Sequence, residues 1–290
     1  MGRPILSAVP EPSGADAGSG NRIAPTTPSR GPQSTAHSAR FSLDGRVALV
    51  TGASRGIGSA IAEALAEQGA QVVLSSRKQA DLDVEAERIN VRFPERTVAI
   101  AAHAGRTEDL QHLVDEVMQR FSRIDILINN AATNPYFGPV LGADLGAWDK
   151  TFEVNLRGVF QLTKLVYDAS MERNGGAVVN VASTGGIRPG FGLGVYNITK
   201  AGVIMLTKQL AIELGGKVRV NAVAPGLVKT RFAEALWGNE AILERVLASN
   251  PMGRIGMPDE IAGAVAFLAS DAASYINGEV LVIDGGGGEP

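Results

Sequence analysis

The 290-residue sequence contains no cysteine. That excludes disulfides, thiolate nucleophiles and cysteine-ligated zinc, iron or iron–sulfur centres. Histidine is scarce, and the three present, His37, His103 and His112, show no metal-ligand spacing. No metal site is expected. Basic charge is not in excess either: 27 Lys and Arg stand against 30 Asp and Glu, a net charge of −3. Nothing in that balance calls for nucleic acid or an anionic membrane surface. Long apolar runs are missing as well, since Gly, Ser or a charge breaks each one well short of the ~20 residues of a membrane span. No Gly-Lys-Ser/Thr triplet ends a Gly-rich loop, which disfavours an ATP or GTP P-loop. What is present is ordinary for a globular protein: 45% hydrophobic and 20% charged residues, enough apolar surface for a sizeable core.

Composition changes near residue 40. Residues 1–40 hold six Pro, six Ser, six Ala and five Gly, no Lys, and no helical or strand period. This stretch reads as a disordered N-terminal extension, because it has too little apolar surface to offset the entropy of ordering. Pro4-Ile5-Leu6 is too short for the apolar run of a secretory signal, and the proline density disfavours an amphipathic transit helix. A cytoplasmic protein is the expectation. Residues 41–290 then form one folded domain.

From Phe41 onward, short apolar runs alternate with helical patterns. Strands are expected at Arg46–Thr51, Gln71–Ser75, Thr97–Ala101, Ile124–Asn129, Ala177–Ala182, Lys217–Ala222 and Glu279–Ile283. Helices are expected at Gly56–Gln68, Asp81–Arg92, Glu108–Phe121, Asp149–Met171, Tyr196–Leu214 and Glu260–Ala269. The runs are apolar on both faces, as strands of a parallel sheet between helix layers must be. The alternation predicts an α/β Rossmann-type domain, a doubly wound seven-stranded parallel sheet flanked by helices. Residues 227–259 are the only segment long enough to act as a lid.

Three places on this frame carry chemistry. Thr51-Gly52-Ala53-Ser54-Arg55-Gly56-Ile57-Gly58 joins the first strand to the first helix. Glycines let the backbone approach a pyrophosphate, and the helix N-terminus supplies free N–H groups and positive dipole. The spacing is Gly-x-x-x-Gly-x-Gly, and a tight turn without ligand remains the bland alternative. At the end of the second strand, 18 residues after Gly58, stands Ser76, followed by Arg77 and Lys78. An NAD site usually has an acid about 20 residues on, for the ribose 2′-hydroxyl. A hydroxyl and a guanidinium there, with Arg55 as a second cation, favour the 2′-phosphate of NADP(H) instead. NAD(H) stays open, as does a merely solvated strand end. Third, Tyr196 and Lys200 lie at i and i+4 on one face of a helix, thirteen residues after Ser183 at a strand end.

Together these stretches resemble the short-chain dehydrogenase/reductase family over residues 43–287. The resemblance rests on TGASRGIG at 51–58, NNAA at 129–132, Asn155 in VNLRGVF, Ser183 in NVAST, YNITK at 196–200, NAVAPGLVKT at 221–230 and the terminal GEVLVIDGGG. NAATNPYFG at 130–138, SSRKQ at 75–79 and APGLVKTRFAEALW at 224–237 are similar to its NADPH-dependent carbonyl/retinal reductase branch. The resemblance implies that Tyr196 is the acid in reduction and the base in oxidation. Lys200 would lower its pKa and hold the nicotinamide ribose, Ser183 would bond the substrate oxygen, and Asn155 would anchor a water serving Lys200. A phenol titrates near ~10. A cation ~4 Å away at an effective dielectric of ~20 contributes roughly 4 kcal/mol, about three pH units. For the cofactor, the resemblance implies contacts from Gly52, Ser54, Arg55, Gly56, Ile57, Gly58, Ser76, Arg77, Asn130, Ala131, Tyr196, Lys200, Pro225, Gly226, Val228 and Thr230. His103 and Ala104 occupy the place where many relatives carry an Asp that binds adenine N6, so the role of His103 stays open. Ala132 replaces a frequent Gly.

The substrate side is marked only by loop residues: Tyr136, Phe137, Arg188, Phe191, Leu193, Phe232 and Trp237. Their character suits an apolar ketone, aldehyde or secondary alcohol. The expected protein is therefore an NADP(H)-dependent oxidoreductase interconverting a carbonyl and a secondary alcohol by hydride transfer. A 3-oxoacyl-carrier-protein-type reductase and a non-catalytic dinucleotide sensor are the alternatives. The resemblance also implies a homotetramer. Small-molecule substrate, no nucleic acid and no membrane complete the expectation.

Overall fold

The computed structural model describes residues 37–287. Seven strands run in parallel: β1 (Val47–Thr51), β2 (Gln71–Ser76), β3 (Thr97–Ala101), β4 (Ile126–Asn129), β5 (Gly176–Val181), β6 (Val218–Pro225) and β7 (Val280–Ile283), in the order β3-β2-β1-β4-β5-β6-β7. The order reverses after β1, and the crevice at the carboxyl ends of β1 and β4 is where a doubly wound sheet takes its ligand.

The helices are α1 (Gly56–Glu67), α2 (Gln79–Arg92), α3 (Thr107–Phe121), α4 (Leu145–Phe152), α5 (Gly158–Val166), α6 (Glu172–Asn174), α7 (Gly194–Leu214), α8 (Glu234–Trp237), α9 (Glu240–Ser249) and α10 (Pro258–Ala269). They cover both faces. Ala48 and Val50 of β1 point into one apolar layer with α1, α2 and α10. Val47 and Leu49 point into the other, with α3, α5 and α7. Strand side chains alternate faces, so a strand buried on both sides must be apolar throughout.

The long helix expected over 149–171 begins earlier and is not uniform. Asp144 caps α4, its Oδ1 accepting the N–H of Ala147 at 2.7 Å. Two π-helical turns, Glu153–Arg157 and Tyr167–Met171, interrupt the run between α4, α5 and α6. β6 continues three residues past its expected end because Ala222–Pro225 pair with β7. Of the extension expected over residues 1–40, only the last four lie among the described residues, where His37–Arg40 form one 3-10 turn.

A polar seam crosses one interior layer. Asn129 Nδ2 of β4 donates to Asn180 Oδ1 of β5 at 2.9 Å and to Thr163 Oγ1 of α5 at 3.0 Å. Asn180 Nδ2 donates to Thr207 Oγ1 of α7 at 2.9 Å. All four side chains are buried. Each finds a partner, as buried amides and hydroxyls must, and the seam fixes how α5 and α7 sit on the sheet.

Candidate active site

The turn between β1 and α1 is crowded by its own backbone. A Cβ on Gly58 would lie 2.3 Å from the Gly52 carbonyl oxygen and 2.5 Å from Asn130 Nδ2. Gly52 and Gly56 have φ of +67° and +61°, the left-handed region that glycine adopts without cost. Thr51 Oγ1 accepts the N–H groups of Asn130 and Ala131 at 3.0 and 3.1 Å. Asn130 Nδ2 returns bonds to the carbonyls of Thr51 and Gly52 at 2.9 and 3.2 Å. The loop after β4 thus clamps the turn. No side chain caps α1, so the N–H groups of its first turn are free for an anion.

At the end of β2, Ser76 Oγ stands 3.2 Å from Ser54 Oγ. Arg77 and Arg55 are exposed on either side. Asp81, early in α2, is the acid on this wall. Past β3, His103 Nδ1 accepts the N–H of Gly105 at 3.0 Å, and Nε2 lies 3.2 Å from Lys150 Nζ. Burial, then Lys150 and Arg106, hold the imidazole below its usual pKa, with Glu153 opposing. No sequence motif marked Lys150, which the fold brings from α4 to the end of β3.

The chemistry-bearing group gathers at the end of β5. Ser183 caps a short 3-10 turn, its Oγ accepting the N–H of Gly185 at 3.1 Å. Tyr196 and Lys200 face it from α7. Burial pushes the Tyr196 phenol up to about 12, and a hydrogen bond with Ser183 pulls partly the other way. Lys200 is 2% exposed. Its Nζ donates to the Val181 carbonyl at 2.6 Å and lies 5.5 Å from the Tyr196 ring centroid. Burial brings its pKa down to about 8. The ammonium therefore sits on a strand-end carbonyl, and burial, not Lys200, dominates the phenol. The lowering of the Tyr196 pKa that a lysine close to its oxygen would cause is absent from this arrangement.

Asn155 takes a different place from the others. In the first π turn it is fully buried. Its Oδ1 accepts the N–H of Thr133 at 2.8 Å, while Nδ2 donates to the Thr133 carbonyl at 2.9 Å and to Thr199 Oγ1 at 3.2 Å. The side chain ties the loop after β4 to α7, and its polar atoms are already engaged.

Pro225 ends β6, and Gly226 N–H donates to the Ile283 carbonyl at 2.9 Å. Val228 pairs with Gly256. Thr230 leans toward the Gly-rich turn, its Cγ2 3.4 Å from where a Cβ on Gly56 would sit. One continuous cleft of about 1270 Å³ joins all these walls. It is lined by every catalytic and cofactor residue expected from the sequence except Asn155. Phe137, Arg188, Leu193 and Phe232 line its substrate end. Tyr136, Phe191 and Trp237 do not: Tyr136 donates to the Pro139 carbonyl at 2.9 Å, Trp237 Nε1 to the Thr230 carbonyl at 2.8 Å, and Phe191 is 81% exposed.

A doubly wound sheet with an anion-ready first turn and a Ser, Tyr and Lys gathered at the end of β5 defines a dinucleotide-dependent oxidoreductase. The chain belongs to the short-chain dehydrogenase/reductase family, whose members use NAD(P). Residues 52–287 match the family model described as enoyl-(acyl carrier protein) reductase. The chain is similar to dehydrogenase/reductase SDR family member 4 of Caenorhabditis elegans, 42% identical over 248 residues, covering 84% of this chain and 95% of the relative. The human protein of that name is 41% identical over 253 residues, covering 85% and 89%. Among solved structures, a gluconate 5-dehydrogenase from Burkholderia cenocepacia J2315 in complex with NADP and tartrate superposes with a TM-score of 0.82 at 33% identity, covering 86% of this chain and 98% of that one. Levodione reductase superposes with a TM-score of 0.81 at 35% identity, covering 84% and 97%.

Proposed function

We propose that this enzyme is an NADP(H)-dependent oxidoreductase that interconverts a carbonyl and a secondary alcohol, with Tyr196 as the proton donor in reduction. The observation that carries the reading is the single cleft joining the Gly-rich turn and Ser76-Arg77 to Ser183, Tyr196 and Lys200. The donor set fits the cofactor. The free N–H groups of α1 suit a diphosphate, and Ser54, Ser76, Arg55 and Arg77 offer hydroxyls and guanidiniums to a 2′-phosphate. When bound, the dinucleotide supplies or takes up the hydride at its nicotinamide ring. Ser183 donates to the substrate oxygen as charge develops on it. Tyr196, with its pKa raised, holds its proton at neutral pH until that oxygen becomes basic enough to take it. Lys200, its Nζ 5.5 Å from the Tyr196 ring centroid, would hold the nicotinamide ribose. Asn155 acts in this reading by positioning α7 against the loop after β4.

Residues 227–259 serve as the lid. α8 and α9 lie in this segment, and Leu227, Phe232, Ile242 and Val246 line the cleft from it. We further propose a cytoplasmic homotetramer. Ile198, Met205 and Ile212 form an exposed apolar stripe at spacing seven along α7, and Phe160 is half-exposed on α5. Among the described residues no helix is long and apolar enough to cross a membrane.

Absorbance at 340 nm tests the reading, with NADPH and NADH offered separately against ketones, diketones and retinal. Turnover with NADPH well above NADH is expected. The reverse preference would transfer the ribose contact to Asp81, which lines the same wall, and sink the 2′-phosphate assignment. Tyr196→Phe should keep nucleotide binding and lose roughly 10²–10⁴-fold in turnover. A variant that keeps full turnover removes Tyr196 from the chemistry, and a wild type that binds nucleotide without turning over any substrate favours a dinucleotide sensor. An acyl-carrier substrate is the second reading, favoured by the description of the matching family model. A 3-oxoacyl thioester in the same assay discriminates it.

A further inference from the structure

Asn197 follows Tyr196 near the start of α7 and is 7% exposed. Its Nδ2 reaches the Gly190 carbonyl at 3.5 Å, which leaves Oδ1 toward Gly185. That oxygen is buried and meets no donor among the described residues. The Gly185 N–H does not serve it, being donated to Ser183 Oγ at 3.1 Å. A buried carbonyl oxygen left without a donor is destabilising, and native proteins keep few of them. Asn197 lines the cleft, so the missing donor can come from a bound molecule.

Its place says which molecule. A Cβ on Gly185 would lie 2.1 Å from Asn197 Oδ1 and 3.4 Å from Ser183 Oγ. The two oxygens are thus neighbours across Gly185. Ser183 also shares a hydrogen bond with Tyr196, so the reacting oxygen belongs beside it. A donor that reaches Asn197 while Ser183 holds that oxygen fits best on the carbon next to the reacting one. Around the pair, Phe137, Leu193 and Phe232 give the cleft an apolar lining, which suits the rest of such a substrate. A second amide oxygen, Asn134 Oδ1 on the loop after β4, is also buried without a donor, and Asn134 lines the same cleft. Both amides offer a ligand acceptors that need donors.

We infer that Asn197 is a specificity residue that accepts a hydrogen bond from a hydroxyl on the carbon next to the reacting carbonyl. The preferred substrate pair is then an α-hydroxy ketone and its vicinal diol. The inference rests on the oxidoreductase site proposed above. In reduction the carbonyl carbon takes a hydride from the bound dinucleotide, which leaves oxidised. The carbonyl oxygen takes the Tyr196 proton, and the phenolate regains one from solvent. The neighbouring hydroxyl is held and not changed.

Steady-state turnover by the full chain tests this on α-hydroxyacetophenone, its methyl ether α-methoxyacetophenone, and acetophenone. The ether keeps the α-oxygen and its pull on the carbonyl but has no donor. Wild type should turn over the hydroxy ketone with kcat/KM at least about tenfold above the ether. Asn197→Leu fills similar space without an acceptor, and there the ratio should fall to within about threefold of one. A substitution that merely disturbs α7 lowers all three substrates together and leaves the ratio in place. A wild-type ratio near one overturns the inference whether or not the variant folds. So does a ratio that Asn197→Leu leaves unchanged. Either result leaves the oxidoreductase reading standing, whereas no turnover of any of the three ketones with NADPH or NADH overturns that reading and this inference with it.

Discussion

Lys200 is the residue where the proposed function and stability pull apart. It is buried with a carbonyl and no carboxylate as its hydrogen-bond partner. Its folded pKa, about 8, lies below the ordinary 10.5. The unfolded chain therefore binds the proton more tightly than the native one. The cost of the buried charge is full below about pH 8 and fades as pH rises toward 10.5. That cost is about 3 kcal/mol at most. Lys200→Met should abolish turnover yet raise the melting temperature by a few degrees at pH 7, with the gain narrowing between pH 8 and pH 10. Differential scanning calorimetry across that range checks it. A lower melting temperature at pH 7 would mean that the Val181 bond outweighs the charge. The identities of Tyr196, Lys200 and Ser183 were legible in the sequence, because strand end and helix spacing put them together. That the phenol would be governed by burial was not, since burial depends on what α7 packs against. Lys150 was invisible for a related reason: its partner His103 is 47 residues away.

Among elements, the strands were the most legible. A strand buried on both faces is a continuous apolar run, and the runs at 97–101 and 71–75 match β3 and nearly match β2. The long helix was less so. Its first π turn holds Asn155 in the interior, where the side chain bridges Thr133 and Thr199. The glycines of the β1–α1 turn were read as room for a phosphate, but for Gly58 the nearer cause is the turn's own backbone. Gly58→Ala would place a methyl 2.3 Å from the Gly52 carbonyl oxygen. It should reduce nucleotide affinity by roughly a hundredfold, a loss of about 3 kcal/mol. Gly263→Ala in α10, where a Cβ meets nothing within 4 Å, should instead stabilise by about 0.5–1 kcal/mol. Titration calorimetry and urea denaturation of the two variants check the pair. Equal behaviour of the two would remove close packing as the reason for Gly58.

For the whole molecule, the fold class followed from alternation alone, while the outer faces of the helices were read only as compatible with assembly. The structure adds a specific surface. Ile212 is 82% exposed and Met205 63%, large apolar side chains left on the outside of a helix whose inner face is already packed. Contiguous exposed apolar side chains mark interaction surfaces. Light scattering should give four times the chain mass of 30.2 kDa. Ile212→Glu should lower that mass at micromolar concentration while the monomer stays folded by circular dichroism. A wild type that is monomeric throughout that range removes the assembly proposal.

The seam of Asn129, Asn180, Thr163 and Thr207 has a consequence for how such a protein can change over time. It works as an index pin. Sliding α7 by one turn, or rotating it, would break a buried amide–hydroxyl bond with nothing nearby to replace it. The phase of the helix, and with it the direction in which Tyr196 and Lys200 point, is set from inside the molecule. The outer side of α7 is thereby released from that duty. Its surface residues can drift, gain a partner or lose one, while Tyr196 and Lys200 on the other side keep their aim.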